Sequence, residues 1–211
     1  MHDKCVIRDT KSNFLKFSMF GLVVLMAPSA ARANLISNGS FESYGGSGFN
    51  SNIGAGITDW TISGGGIDIV DQSFWMAAEG ETSITLGWVG PATISQTVVT
   101  TAGQAYDLSS FMAAEIFGGS ALRTMDVLWN GNIVGTPSFA YTGQGPNNMG
   151  WTQNNILVVG TGSDLVEFRS TTFDQANYGP ALDGVQLNAV PEPATIAVLG
   201  LGILVLSRKR K

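Results

Sequence analysis

Apolar residues in this chain follow two patterns. Between Asn34 and Val190 they occur in short stretches separated by Gly, Ser, Thr and Asn, and no window holds a helical period beyond two turns. A period of two recurs instead. From Thr93 to Val99, the residues Ile94, Gln96 and Val98 fall on one face, and Ser95, Thr97 and Val99 on the other. Ala105 to Ala113, Thr124 to Trp129, Leu165 to Ser170 and Leu182 to Asn188 read as further strands. Asn130-Gly131 supplies two residues that tolerate positive φ, so a tight hairpin turn is expected after Trp129. Tyr44 to Gly56 and Gly143 to Gly150, rich in Gly, Ser and Asn, are expected to be loops. Roughly ten short strands with frequent turns predict an all-β fold, a two-sheet sandwich of the jelly-roll type.

The second pattern is found at the two ends, each a single apolar run. Lys4, Arg8, Lys11 and Lys16 precede the run from Phe17 to Ala27, and small residues lead on to Ala31-Arg32-Ala33. That is the order of a secretory signal helix, with cleavage expected after Ala33 and residues 1–33 removed. A retained anchor is the competing reading, but the run has only about ten apolar residues against the ~20 that span a bilayer. At the other end, Val190-Pro191-Glu192-Pro193 leads into an apolar run from Ala194 to Leu206 and then Ser207-Arg208-Lys209-Arg210-Lys211. The prolines stop any strand and form a stiff spacer. As a helix the run reaches roughly 20 Å, short of a ~30 Å hydrocarbon core. The cations after it would stay on the cytoplasmic side. Such a segment suits a temporary stop during export, and a permanent single-span anchor fits the same chemistry.

Pro191, Glu192 and Pro193, the apolar segment, and Arg208, Lys209 and Arg210 together resemble the PEP-CTERM sorting tail of bacterial exported proteins. The resemblance assigns residues 190–211 to the tail and leaves 34–189 as the domain. It implies exosortase-type processing near Pro-Glu-Pro. It also implies a cell-envelope or extracellular-matrix location, with transient membrane tethering through the C-terminal helix.

Charge narrows the partners. Between Asn34 and Val190 there are 13 Asp or Glu and two basic residues, Arg123 and Arg169, a formal charge of −11 with no lysine. Such a domain repels phosphate backbones and anionic membranes, which argues against nucleic acid. A neutral sugar or a cation is more compatible. The only histidine is His2 and the only cysteine is Cys5, both before the first apolar run. Ser-His-Asp and Cys-His catalysis, lysine Schiff bases and the usual zinc sites are therefore excluded from the domain. Two carboxylates alone can hydrolyse a glycosidic bond. Glu79 and Glu81, spaced i, i+2, would share a face on a strand, and Asp68 and Asp71 are nearby in sequence. Solvated carboxylates explain these residues more simply, so no catalytic residue is assigned.

The domain also contains an ordered series of short motifs. It opens with Asn34-Leu35-Ile36-Ser37-Asn38-Gly39-Ser40-Phe41-Glu42, followed by Trp60, Ile67-Asp68-Ile69-Val70 and Ala77-Ala78-Glu79-Gly80. Then come Ile94-Ser95-Gln96-Thr97 and Asn148-Met149-Gly150-Trp151-Thr152. It closes with Tyr178-Gly179-Pro180-Ala181-Leu182-Asp183-Gly184-Val185. This series resembles the galactose-binding-like sandwich of plant cell-wall proteins and of bacterial choice-of-anchor C proteins. The resemblance implies a jelly-roll sandwich and suggests polysaccharide binding. No cofactor is required, but related carbohydrate-binding modules often hold a structural Ca²⁺. Glu42 and Asp183 fall at the matching positions, with hydrogen bonds from turn N–H groups as the alternative role for both.

Aromatic rings stack on the apolar faces of sugars. All five tryptophans lie in the domain. Trp60 and Trp129 sit in strand-like segments and are expected in the core. Trp75, Trp88 and Trp151 occupy turn-like settings, either as exposed platforms or as plugs closing the sandwich. The expected sugar site combines Trp75 and Glu79 with Asn148, because carboxylates and amides give directional bonds to hydroxyls. Asn38-Gly39-Ser40 matches a glycosylation sequon and reads here as a turn. The leading reading is an exported, non-catalytic protein that binds extracellular polysaccharide. A self-associating matrix protein comes second and a carboxylate-dependent hydrolase third.

Overall fold

Period-two patterning in the sequence becomes alternating burial in the molecule. A computed structural model describes residues 33–46, 50–52, 56–172 and 178–191. The expected signal helix and the C-terminal apolar helix lie outside the described residues, as do Glu192, Pro193, Arg208, Lys209 and Arg210. Strands β1 (Asn50–Asn52), β2 (Thr61–Gly64), β3 (Ile67–Asp71), β4 (Thr82–Thr85), β5 (Ala92–Val99) and β6 (Ala105–Ala114) form the first half. Strands β7 (Leu122–Trp129), β8 (Asn132–Gly135), β9 (Ser138–Ala140), β10 (Thr152–Val159), β11 (Ser163–Ser170) and β12 (Pro180–Ala189) follow. One sheet has the order β1-β3-β4-β12-β6-β10, the other β2-β5-β11-β7-β8, and β9 pairs with β7. Every pairing is antiparallel. From β4 to β7 and again from β10 to β12 the chain switches sheet at each strand, the jelly-roll pattern. Tyr44 to Gly56, expected as a loop, contributes β1, which pairs with β3. Gly143 to Gly150 remains a loop, closed by a bridge between Gly145 and Asn148.

Burial of the alternate residues supplies the core. Ile94, Gln96 and Val98 of β5 are buried, whereas Thr97 and Val99 are exposed. Ile67, Ile69, Ile84, Leu108, Met112 and Leu182 of the first sheet share one cluster with Ile62, Met125, Val127, Val166 and Phe168 of the second. Trp60 joins that cluster, with Phe41 at 5.7 Å and Phe168 at 6.4 Å between ring centroids. Trp129 is buried too, and its indole N–H donates to the Val159 carbonyl at 3.0 Å. Asn130 and Gly131 take φ values of 52° and 77° and turn the β7–β8 hairpin.

The opening motif docks on the closing one. Asn34 Oδ1 accepts from the amides of Ile36 and Leu187, and the Leu35 amide donates to the Leu187 carbonyl. Asn38, at φ 50°, bonds through its side chain to Ser43 and Thr58. Gly39 packs so tightly on β12 that a Cβ there would lie 2.0 Å from the Val185 carbonyl oxygen. Only glycine fits that contact. The sequon is a turn, as its composition predicts.

Loops at the end of the sandwich where β12 finishes converge on Asp164. Its carboxylate accepts from Thr100 Oγ1 at 2.5 Å, Asn130 Nδ2 at 2.6 Å, Thr161 Oγ1 at 2.6 Å and the Thr161 amide at 2.9 Å. Burial alone would raise its pKa, but the bonds from Thr100, Thr161 and Asn130 outweigh burial and hold it down at about 2. A depressed carboxyl stabilises the fold above its unfolded pKa, and that contribution is lost as pH falls through the folded value. Asp164→Ala leaves donors on three loops without their acceptor, and an unmade buried hydrogen bond costs about 1–3 kcal/mol. The expected outcome is a loss of about 3 kcal/mol in urea unfolding, shrinking as the wild type is titrated toward pH ~2.

Candidate functional site

The outer face of the first sheet has an unusually small floor. Register places Asp68 opposite Thr85, Thr85 opposite Ala181, and Ala181 opposite Ala113. Two residues along, Val70 faces Ser83, and Asp183 faces Phe111. Thr85, Ala181 and Ala113 are fully buried, although they point away from the inter-sheet core. The segment between β3 and β4 folds back across this floor and covers it. Asp71 starts the fold-back, accepting from the amide and hydroxyl of Ser73. Trp75 then reaches the floor, where its indole N–H donates to Ser83 Oγ at 2.9 Å.

Two carboxylates hold the far end of that segment. Asp183 Oδ2 accepts from the amides of Ala78 at 2.7 Å and Glu79 at 2.9 Å, while Oδ1 accepts from Gly184 at 2.7 Å. Glu42 Oε1 accepts from the amides of Glu81 and Thr82, both at 2.8 Å. Of the five successive residues from Ala78 to Thr82, all but Gly80 therefore point their N–H groups at an acid. Gly80 leaves room for Glu42: a Cβ there would lie 2.2 Å from Oε1. Gly184, at φ 55°, takes a left-handed conformation that keeps Asp183 beneath the turn.

These contacts bear on the calcium expectation. The two carboxylates serve adjacent stretches of one turn, and both oxygens of Asp183 already face amide hydrogens. Ca²⁺ needs six to eight oxygen ligands, and N–H donors cannot act as ligands. Among the described residues no group of three His, Cys, Asp or Glu is placed to hold a metal. The arrangement fits N–H binding and does not fit an ion shared by Glu42 and Asp183.

The structure gathers the segments of the expected sugar site but moves its ring. The Met76 amide donates to the Pro146 carbonyl at 2.8 Å, and the Trp151 indole N–H donates to the Met76 carbonyl at 2.9 Å. The segment carrying Trp75 and Glu79 is thus tied to the loop carrying Asn148. Glu79 and Asn148 are both exposed. Trp75 is not, at 1% accessibility, because its polar edge is satisfied by Ser83 and its face is covered. The covering ring is Phe117, stacked at 6.1 Å and 28°. Phe117 is 58% exposed, and Phe74, 39% exposed, meets it edge-on at 6.3 Å and 86°. The outward aromatic surface is therefore Phe74 and Phe117 resting on Trp75, with exposed Met76 on the same segment. Trp88 and Trp151 are half-buried. Phe117 was legible as an exposed ring from its neighbours Gly118 and Gly119, since a large apolar residue beside two glycines seldom lies inside a strand. Glu79 and Glu81 lie in bends before β4 and not on a strand, so the shared strand face does not form.

A second acid positions Phe117. Glu115 Oε1 accepts from the Phe117 amide at 3.2 Å. Arg123, fully buried, donates from its guanidinium to the carbonyls of Gly118, Ser120 and Glu115, which fixes the same turn. Burial pushes the Glu115 carboxyl up to about 7, with the Asp68 charge adding to it and the Phe117 amide and Arg123 opposing. Burial likewise pushes Asp183 up to about 7 against its three amide bonds.

Raised carboxyl pKa values mean that the folded chain binds more protons than the unfolded one between about pH 4 and 7. Stability from these groups is full below their unfolded values and declines as pH rises through about 7. The melting temperature should therefore fall between about pH 4 and 7, and Glu115→Gln should flatten that fall. A steeper fall in the variant would refute the assignment to Glu115. The amide-filled carboxylates also predict equal melting temperatures in excess EDTA and in excess Ca²⁺.

Comparison with known proteins places the chain. A family model described as "Protein of unknown function (DUF642)" matches residues 34–188, and a PEP-CTERM protein-sorting motif matches residues 189–211. Halomucin of Haloquadratum walsbyi is 24% identical over 187 residues, covering 84% of this chain and 2% of halomucin, so the chain spans a small fraction of that relative. TmCBM61, solved in complex with beta-1,4-galactotriose, superposes with a TM-score of 0.52 at 18% identity over 75% of this chain and 99% of that one. A family 35 carbohydrate binding module from Clostridium thermocellum gives a TM-score of 0.45 at 20% identity over 67% and 98%. The fold is thus an all-β sandwich like those of carbohydrate-binding modules, as the sequence resemblance implied. The chain belongs to the DUF642 family, and its PEP-CTERM motif marks it for export and surface sorting.

Proposed function

We propose that this protein is sorted by exosortase-type machinery to the cell surface or matrix, and that it binds neutral extracellular polysaccharide there without cleaving it. The observation that carries the reading is the exposed pair Phe74 and Phe117, held on buried Trp75 beside exposed Glu79 and the Asn148 loop. Trp75 acts as the underlay that fixes ring orientation. Phe117 offers a flat face to a sugar ring, while Glu79 and Asn148 offer polar groups to its hydroxyls. An acidic domain without lysine suits a neutral glycan better than an anionic one.

The affinity of one such site is small. Covering ~100 Å² of apolar surface contributes about 2.5 kcal/mol before ordering costs. Retention on a matrix then depends on many copies. The same chemistry supports non-catalytic action: the domain has no His, Cys or Lys, and Glu79 and Glu81 lie in bends rather than on a shared strand face.

β-1,4-Galactan is the first polysaccharide to test, since the similar TmCBM61 was solved with beta-1,4-galactotriose. In affinity electrophoresis across a panel of neutral polysaccharides, Phe117→Ala should weaken binding by about tenfold, the equivalent of ~1.4 kcal/mol. Glu79→Gln should weaken it less, and neither should release reducing ends. Unchanged retention of Phe117→Ala on every polysaccharide that retains the wild type would remove this site.

A further inference from the structure

Charge is absent from one end of the sandwich, and it is the end from which the sorting tail departs. β12 finishes at Ala189, and the Val190 amide donates to the Ala105 carbonyl at 2.8 Å. Gln104 Nε2 donates to the Val190 carbonyl at 2.7 Å. Pro191 is therefore held against the β5–β6 loop, beside a cleft of about 420 Å³ lined by Thr101, Gly103, Gln104, Val190 and Pro191, among others. Around it lie the β7–β8 turn and the β10–β11 loop, joined through Asp164. Residues 97–106, 129–136, 156–163 and 186–191 build this end, and they contain no Asp, Glu, Lys, Arg or His. Asp164, the organising acid, is wholly buried. The next carboxylate on the outer face of the first sheet, Asp107, is half-buried and level with Leu157. The same end exposes large aliphatic side chains: Val99 at 79%, Leu157 at 69%, Val159 at 54% and Ile133 at 54%.

We infer that this neutral, aliphatic end is a membrane-contacting surface, which rests on a lipid bilayer while the tail is inserted. The inference rests on the reading of the apolar run from Ala194 to Leu206 as membrane-inserted. Only Pro191, Glu192 and Pro193 separate the last hydrogen-bonded residue, Val190, from that run. Fully extended, such a link spans about 14 Å. The headgroup layers take up roughly 10–15 Å of a bilayer's total thickness, shared between its two sides. The end of the sandwich is then held within about 10 Å of the headgroup surface. A domain of formal charge −11 brought that close to lipid headgroups is repelled wherever it presents carboxylates. Apart from Asp107 at its margin and Glu192 in the link itself, the surface that has to approach presents no exposed carboxylate, and it offers Thr, Asn and Gln side chains for headgroups and Val, Leu and Ile for the upper acyl region.

The unit Arg32–Lys211 contains every core residue described and no cysteine, so single cysteines can report position. It is reconstituted into phosphatidylcholine vesicles through its own tail. A fluorophore is attached at Ala102→Cys, at Val159→Cys, or at Leu122→Cys as a control at the other end of β7, and quenched by headgroup-nitroxide lipid. Vesicles should float with the protein, and quenching should be several-fold stronger at 102 and at 159 than at 122. Floating vesicles with equal quenching at all three positions overturn the inference alone. Protein that fails to float overturns the reading of the tail, and this inference with it. Energy transfer between labels at 159 on separate molecules, without lipid quenching, assigns the surface to a second copy of the chain and overturns the bilayer as its occupant.

Discussion

A short run of backbone amides holds the two ends of this domain together. The N–H groups of Ala78, Glu79, Glu81 and Thr82 are taken up by Asp183 from the last strand and Glu42 from the opening motif. Beneath them Gly39 lies flush on Val185, and the Val185 amide donates to the Gly39 carbonyl. Turn amides left unpaired against a covered sheet would each be costly. The acids remove that cost and at the same time fix where the segment between β3 and β4 must run. Its path decides everything on the outer face of the first sheet, from the seat of Trp75 to the exposure of Phe117.

This arrangement exchanges one aromatic platform for another. A tryptophan laid on small residues, with its N–H satisfied by Ser83, is rigid but inaccessible. Stacking Phe117 on it transfers that rigidity to a ring that solvent and ligand can reach. The buried Arg123 and Glu115 play the same part from below, as they pin the carbonyls and amide of the turn that presents Phe117. Their charges cost desolvation free energy, which is reflected in the raised carboxyl of Glu115. The stabilisation of the exposed ring is thus coupled to pH through a group that is itself buried.

Strands were legible in the sequence wherever alternation was strong, and β5, β6, β7, β11 and β12 fall within two residues of their expected ends. β1 was hidden, because Asn-Ser-Asn in a glycine-rich stretch carries no apolar alternation. The motif residues were visible as positions, but not as contacts. Asn38, Gly39 and Glu42 look like a turn in isolation, but Asn38 ties Ser43 to Thr58, Glu42 takes the amides of Glu81 and Thr82, and Gly39 meets Val185 on the last strand. Whether Trp75 was a platform or a plug stayed open for a related reason. Its polar flanks, Asp71, Gln72 and Ser73, describe the surface of the segment, while its burial depends on a floor of Ser83, Thr85 and Ala181 that local composition cannot reveal.

The position of β12 in its sheet has a mechanical consequence. It is a central strand, bonded to β4 on one side and β6 on the other, and the tail continues directly from its end. Tension drawn through the tail acts along the strand axis. The bonds to both neighbours are then loaded in shear and must yield together, whereas an edge strand pulled sideways would unzip one bond at a time. A load applied to the chain through its C-terminal end is thus met where the sheet resists force best.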